Sequence, residues 1–152
     1  MANRFERSIV IDAPARDVFD YVADLTRHGE WSTNPLAVTL EHEGPIAMGT
    51  TFHSEATLMG TQRDLGRVTV FDPPLRFEFV TEGKAGTVRN WFTITDDGSS
   101  CRLAKGSHNT RLSSFSRLMI PVLAVIVPRM YDRNLHAIRD AVEHAGSVAG
   151  VA

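Results

Sequence analysis

Polar and apolar residues alternate through most of the first 111 positions, and the pattern then changes to a helical spacing. Between Arg4 and Asp12, Phe5, Ile9 and Ile11 share one face, which predicts a first strand. Pro14 follows where a helix can begin, because a first-turn residue has no intrahelical N–H bond to lose. Asp17 stands near the favourable end of that helix's dipole, and Val18, Phe19 and Val22 form its apolar stripe. A second short helical segment is expected from Leu25 toward Trp31, ending near Asn34-Pro35.

From there the period is two. Leu36, Val38 and Leu40 alternate with Thr39 and Glu41, and Glu43-Gly44-Pro45 and Met48-Gly49 break the chain. Phe52, Ser54, Ala56 and Leu58 face one way, and His53, Glu55 and Thr57 the other. Val68 and Val70 belong to the next strand, which Asp72-Pro73-Pro74 stops. Phe77 and Phe79 oppose Arg76 and Glu78; Val88, Asn90, Phe92 and Ile94 oppose Arg89, Trp91 and Thr93. Asp96-Asp97-Gly98 signals a hairpin before a last strand over residues 100–111.

From Phe115 to His144 the period is helical, with Val127, Tyr131, Leu135, Ile138 and Val142 as the buried stripe. Pro121 and Pro128 each remove a backbone donor, which predicts a kink or a late start to the regular helix. The whole predicts an α+β fold: two short helices after strand 1, a six- to seven-stranded antiparallel sheet, and a C-terminal helix of about 28 residues, or about 40 Å, over its apolar face.

Composition narrows the function. The 152 residues suit one domain, expected over residues 1–146, with the small residues of 147–152 as a flexible tail. A net charge of −2 offers no field for nucleic acid. Cys101 is the sole cysteine, which excludes an internal disulfide and multi-Cys zinc motifs. No long apolar run follows Met1–Arg7, so a cytoplasmic location is expected.

Several motifs together resemble one superfamily. Ile11-Asp12-Ala13-Pro14 before Val18-Phe19, and Asp24 before Trp31, are similar to the opening of START/Bet v 1-like (SRPBCC) proteins. Met48-Gly49 before Phe52, and Val70-Phe71-Asp72-Pro73-Pro74 before Phe77, resemble its middle; Leu135, Ile138, Val142 and Glu143 resemble its end. The chain looks closest to the bacterial polyketide cyclase/dehydrase branch. The resemblance implies a helix-grip fold, in which a curved sheet wraps the C-terminal helix around a cavity. It also implies binding of lipids, sterols, polyketides or hormones, with cyclisation or dehydration in some members.

The residues supply candidates for that cavity. With the apolar faces turned toward the helix, Phe52, Ala56, Leu58, Val68, Val70, Phe77, Phe79, Phe92, Ile94 and Leu103 would surround it, closed by Val127, Tyr131 and Ile138. Asn90, Lys105 and Tyr131 fall at inward positions by parity and would be its polar groups. A solid core, with Tyr131 reaching solvent and Lys105 turned outward, is the competing arrangement. Asp24 and Trp31 read as a helix break and a packing anchor, Cys101 as a packed thiol, and His53 with Glu55 as a solvated face; no metal site or cofactor is expected. The uncharged run 118–127, flanked by Arg117 and Arg129, is too short to span a bilayer. It reads as the buried start of the helix, a self-association surface for a homodimer, or a peripheral membrane contact. Three functions follow: a carrier or sensor of a lipophilic small molecule; a polyketide cyclase or dehydratase, in which Tyr131 and Asn90 polarise a carbonyl; or an interaction protein working through 118–127.

Overall fold

The strand alternation read above closes into one open sheet. The computed structural model describes residues 3–58 and 60–151. Its strands are β1 (Arg4–Ile11), β2 (Leu36–Leu40), β3 (Thr51–Thr57), β4 (Thr61–Asp72), β5 (Arg76–Gly83), β6 (Gly86–Asp96) and β7 (Cys101–Leu112). All neighbours are antiparallel, in the order β1-β7-β6-β5-β4-β3-β2. The first strand therefore pairs with the last, and the chain otherwise runs as a meander with β2 at the far edge.

The helices lie on one face of this sheet. Helix α1 (Ala15–Val22) packs on β5, β6 and β7. A 3₁₀ turn (Leu25–Arg27) leads directly into α2 (His28–Trp31). Asp24 caps that turn, its carboxylate accepting from the Thr26 N–H at 3.1 Å and the Thr26 hydroxyl at 2.6 Å, as a helix start requires. Trp31 is buried as the packing anchor. A short α3 (Ser114–Leu118) precedes the long α4 (Ile120–Val151), and this is the helix-grip arrangement. In α4 the whole stripe from Val127 to Val142 is buried. Pro121 sits in its first turn, where nothing is lost. Pro128 lies inside and leaves the Ala124 carbonyl without its helical donor. The helix continues through Gly146 and Gly150 to Val151, and residues 144–150 are exposed.

One register shift changes the inward face. Val68 opposes Phe79, but a bulge after it makes Val70 oppose Glu78 and Phe71 oppose Phe77. An extra residue in one strand inverts the parity beyond it. Val70 thus shares the outer face with Glu78, contrary to the simple alternation, and Phe71 takes the inward place. Two close approaches also depend on glycine: the Phe52 ring covers Gly66, and the Trp91 indole covers Gly106, where a Cβ would collide with either ring.

The outer face is held by charge. Glu78, 2% exposed, lies between Arg76 and Arg89, and the Trp91 Nε1–H donates to Glu6 at 2.7 Å beneath Arg4. The Glu41–His53 pair is likewise on that face and exposed.

Candidate functional site

The space between sheet and α4 is solid at one end and open at the other. At the solid end Phe19, Phe52, Phe77, Phe92, Leu103, Leu135 and Ile138 are fully buried, with Val68, Ile94 and Cys101 among them and Phe79 packed on them. Burial pushes the Cys101 thiol up to about 11, the state of a packed, unreactive thiol. Helices α1 and α2 plug this end. His28 of α2 stands among Trp31, Phe77, Phe79 and Phe92. Burial pushes its imidazole down to about 4, so it is neutral and its Nε2–H donates to the Val22 carbonyl at 2.7 Å.

At the other end lies a cavity of about 1070 Å³. Its walls come from the end of β3, the starts of β4 and β6, the end of β7, and α3 with the N-terminal half of α4. Apolar surface is given by Phe5, Leu58, Val88, Leu123, Val127 and Met130; Gln62, Asp64, Ser107 and Asn109 are polar groups on the sheet side. Burial raises the Asp64 carboxyl above its ordinary value. The roof is tied to the β5–β6 turn: the Ser113 N–H and the Ser116 hydroxyl both donate to the Ala85 carbonyl, each at 2.9 Å. Ser113 also caps α3, its hydroxyl oxygen accepting from the Ser116 N–H at 3.1 Å.

Of the residues expected to line a cavity, Leu58, Val127 and Tyr131 do so. Phe52, Val68, Phe77, Phe79, Phe92, Ile94 and Leu103 belong to the closed core, and Ala56 is half-buried outside it. Val70 is on the outer face. Asn90 faces inward opposite Phe79 and Ser107, its amide donating to the Val88 carbonyl at 3.3 Å. Phe5, Val88 and the residues of α3 and the start of α4 escape the sequence reading, and so do two groups of polar positions on the sheet. One is the start of β4, where Gln62, Asp64, Gly66 and Val68 share one parity; the other is Asn109, which continues the parity of Leu103 and Lys105. Parity carries the signal at those positions, and the polar residues there obscure it.

Between the two ends sits the polar layer. The Tyr131 hydroxyl donates to Ser107 Oγ at 2.6 Å, and burial pushes its pKa up to about 12, so Tyr131 is a donor and not a base. Lys105 is 7% exposed, and its Nζ lies 4.2 Å from the Tyr131 ring centre, 5.1 Å from that of Phe92 and 5.3 Å from that of Trp31. It forms no ion pair among the described residues. Burial pushes it down to about 8. The described residues hold no cluster of three or more metal-ligating side chains.

Comparison with known proteins agrees with this fold. The family model "Polyketide cyclase / dehydrase and lipid transport" matches residues 2–143. Similar folds include the Zhui aromatase/cyclase from Streptomyces sp. R1128, at 15% identity and a TM-score of 0.81 over 97% of each chain. A protein from Thermus thermophilus is 17% identical, with a TM-score of 0.77 over 93% of this chain and 98% of that one. A START superfamily protein from Mycobacterium smegmatis is 12% identical, with a TM-score of 0.76 over 93% of this chain and 98% of that one. No curated protein matches the chain in sequence.

Proposed function

Because the chain belongs to the polyketide cyclase/dehydrase and lipid transport family, we propose that it binds and carries a lipophilic small molecule, a fatty acid or polyketide-like compound, between the sheet and the N-terminal half of α4. The cavity carries this reading: about 1070 Å³, with an apolar wall from Phe5, Leu58, Val88, Leu123, Val127 and Met130, polar groups on the sheet, and the charged residues Glu55, Arg63, Asp64 and Lys84 in its lining. That composition is the usual form of a small-molecule site, and the volume suits a ligand of drug or lipid size. The engaged hydroxyl of Tyr131 and the internal hydrogen bond of Asn90 favour binding over carbonyl chemistry. Native mass spectrometry of the purified protein is expected to release a bound lipophile. Leu123→Trp, which fills the cavity from α4, should weaken binding of a fluorescent fatty acid about tenfold or more. Unchanged affinity in that variant overturns the reading.

A second feature favours loading at a membrane surface. Phe115, Leu118, Val122 and Val125 are exposed beside the cavity mouth, Phe115 being 67% and Leu118 76% exposed. Arg111 and Arg129 flank them along the chain, and Arg117 lies among them. An apolar stripe rimmed by cations suits the interface of anionic lipid. Among the described residues no helix is long and apolar enough to cross a membrane. Flotation with phosphatidylglycerol vesicles should recover the protein and lose Leu118→Ser. Recovery of neither, with a concentration-dependent dimer in solution, assigns the stripe to self-association.

A further inference from the structure

Two neighbouring donors near the cavity lack protein acceptors among the described residues. The Trp31 Nε1–H is buried and has no hydrogen-bond partner. Lys105 Nζ, 5.3 Å from the centre of that same ring, has no carboxylate partner among the described residues. Both side chains are more than nine-tenths buried. Such buried groups are disfavoured: a polar group without its hydrogen bond and an ammonium without its counter-charge each forfeit the solvation that water gave them. The three aromatic faces around Nζ offset part of that loss through cation–π attraction, and they favour the charged form without supplying an acceptor.

The box adjoins the cavity. Ser107 and Tyr131 line the cavity, and the Tyr131 ring covers Nζ on its other side. Ser107 follows Lys105 on the inward face of β7. The Tyr131–Ser107 hydrogen bond therefore stands between them, and its opening would join the two spaces.

Resting on the reading that the cavity holds a lipophile, we propose that Lys105 and Trp31 form a subsite for the carboxylate of that ligand, reached when Tyr131 releases Ser107. The match is chemical. Two neighbouring donors, one cationic, suit a group with two equivalent oxygens and a single negative charge. A phosphate dianion would leave one charge uncompensated among Phe92, Trp31 and Tyr131. The lowered pKa of Lys105 agrees with a buried ammonium that has no counter-charge within the protein.

Calorimetric titration with dodecanoate and with 1-dodecanol tests this in the full chain. Wild type should prefer the acid. Lys105→Met should lose about ten- to a hundredfold in dodecanoate affinity, the worth of a charged hydrogen bond, and keep its affinity for the alcohol. Trp31→Phe preserves a ring and loses the N–H, and it should lose about two- to tenfold for the acid alone. Equal affinity for acid and alcohol in wild type, or no loss in either variant, overturns the subsite and leaves a bound water as the acceptor. A readout without a lipophile separates this from failure of the carrier reading. Acetate should shift the Trp31 indole N–H resonance in wild type and not in Lys105→Met. That shift without binding of either twelve-carbon probe refutes the lipophile and retains the carboxylate site; its absence refutes the site.

Discussion

Along α4 the two ends of one helix meet the same sheet with opposite results. Leu135, Ile138 and Val142 join one buried cluster with rings from β5 and β6 and with Val18 and Val22 of α1. Leu123 and Val127 face about 1070 Å³ of open volume. Both halves carry an apolar stripe, so helix pattern does not distinguish them. The difference is the third layer. Where α1 and α2 fill the gap between sheet and α4, the inward phenylalanines pack at core density. Where α3 is tied by its bonds to Ala85 and packs only on the end of β7 and on α4 among the described elements, the gap is left open.

The contrast predicts unequal costs for similar substitutions. Ile138→Ala should lose about 2–5 kcal/mol, because a fully buried aliphatic leaves a void that its neighbours fill only in part. Chemical denaturation measures this; an Ile138→Ala protein as stable as wild type would mean that the closed end is not closed. Lys105→Met should move stability the other way. The ammonium has a pKa of about 8 in the folded protein against the ordinary 10.5, so between those values the unfolded chain binds the extra proton. Wild-type stability therefore rises with pH from about 8 to 10.5, and below that window the charge costs about 3 kcal/mol. Lys105→Met should be more stable by about that amount at pH 7, and its advantage should vanish as pH rises through the window. A constant difference across pH would show that the ammonium is not desolvated. The smallest effect belongs to the exposed stripe: Leu118→Ser should change stability by less than about 0.5 kcal/mol, so any loss of vesicle binding in it is a surface effect.

The stability prediction for Lys105 bears on function. A side chain that weakens the fold at neutral pH is expected where a site needs it, since a core free of ligand duties would replace it with an apolar residue. That is the character of the layer between the closed core and the cavity, where Lys105, Ser107, Tyr131 and the unpartnered Trp31 donor meet.

Much of this architecture is legible in the residues alone. Period-two runs locate the seven strands, though β4 shows itself only near Val68 and Val70, and the spacing of Val127, Tyr131, Leu135, Ile138 and Val142 defines the buried face of α4. The parity of Leu103 places Lys105 inward, because adjacent side chains on a strand point to opposite faces. The turn at Asp96-Asp97-Gly98 is readable from local chemistry, and Gly98 adopts a positive φ of 86° there. What tertiary structure decided was which inward residues meet one another and which meet empty space. Phe77, Phe79 and Phe92 have the same pattern as cavity walls would, and only the seating of α1 and α2 against them makes them core. The bulge after Val68 is equally silent, since one extra residue in a strand leaves no mark on local hydropathy yet turns Val70 outward and Phe71 inward. Local patterns encode which way a side chain points from its own strand or helix; the volume left between layers depends on how distant segments stack, and that is set only when the whole chain has packed.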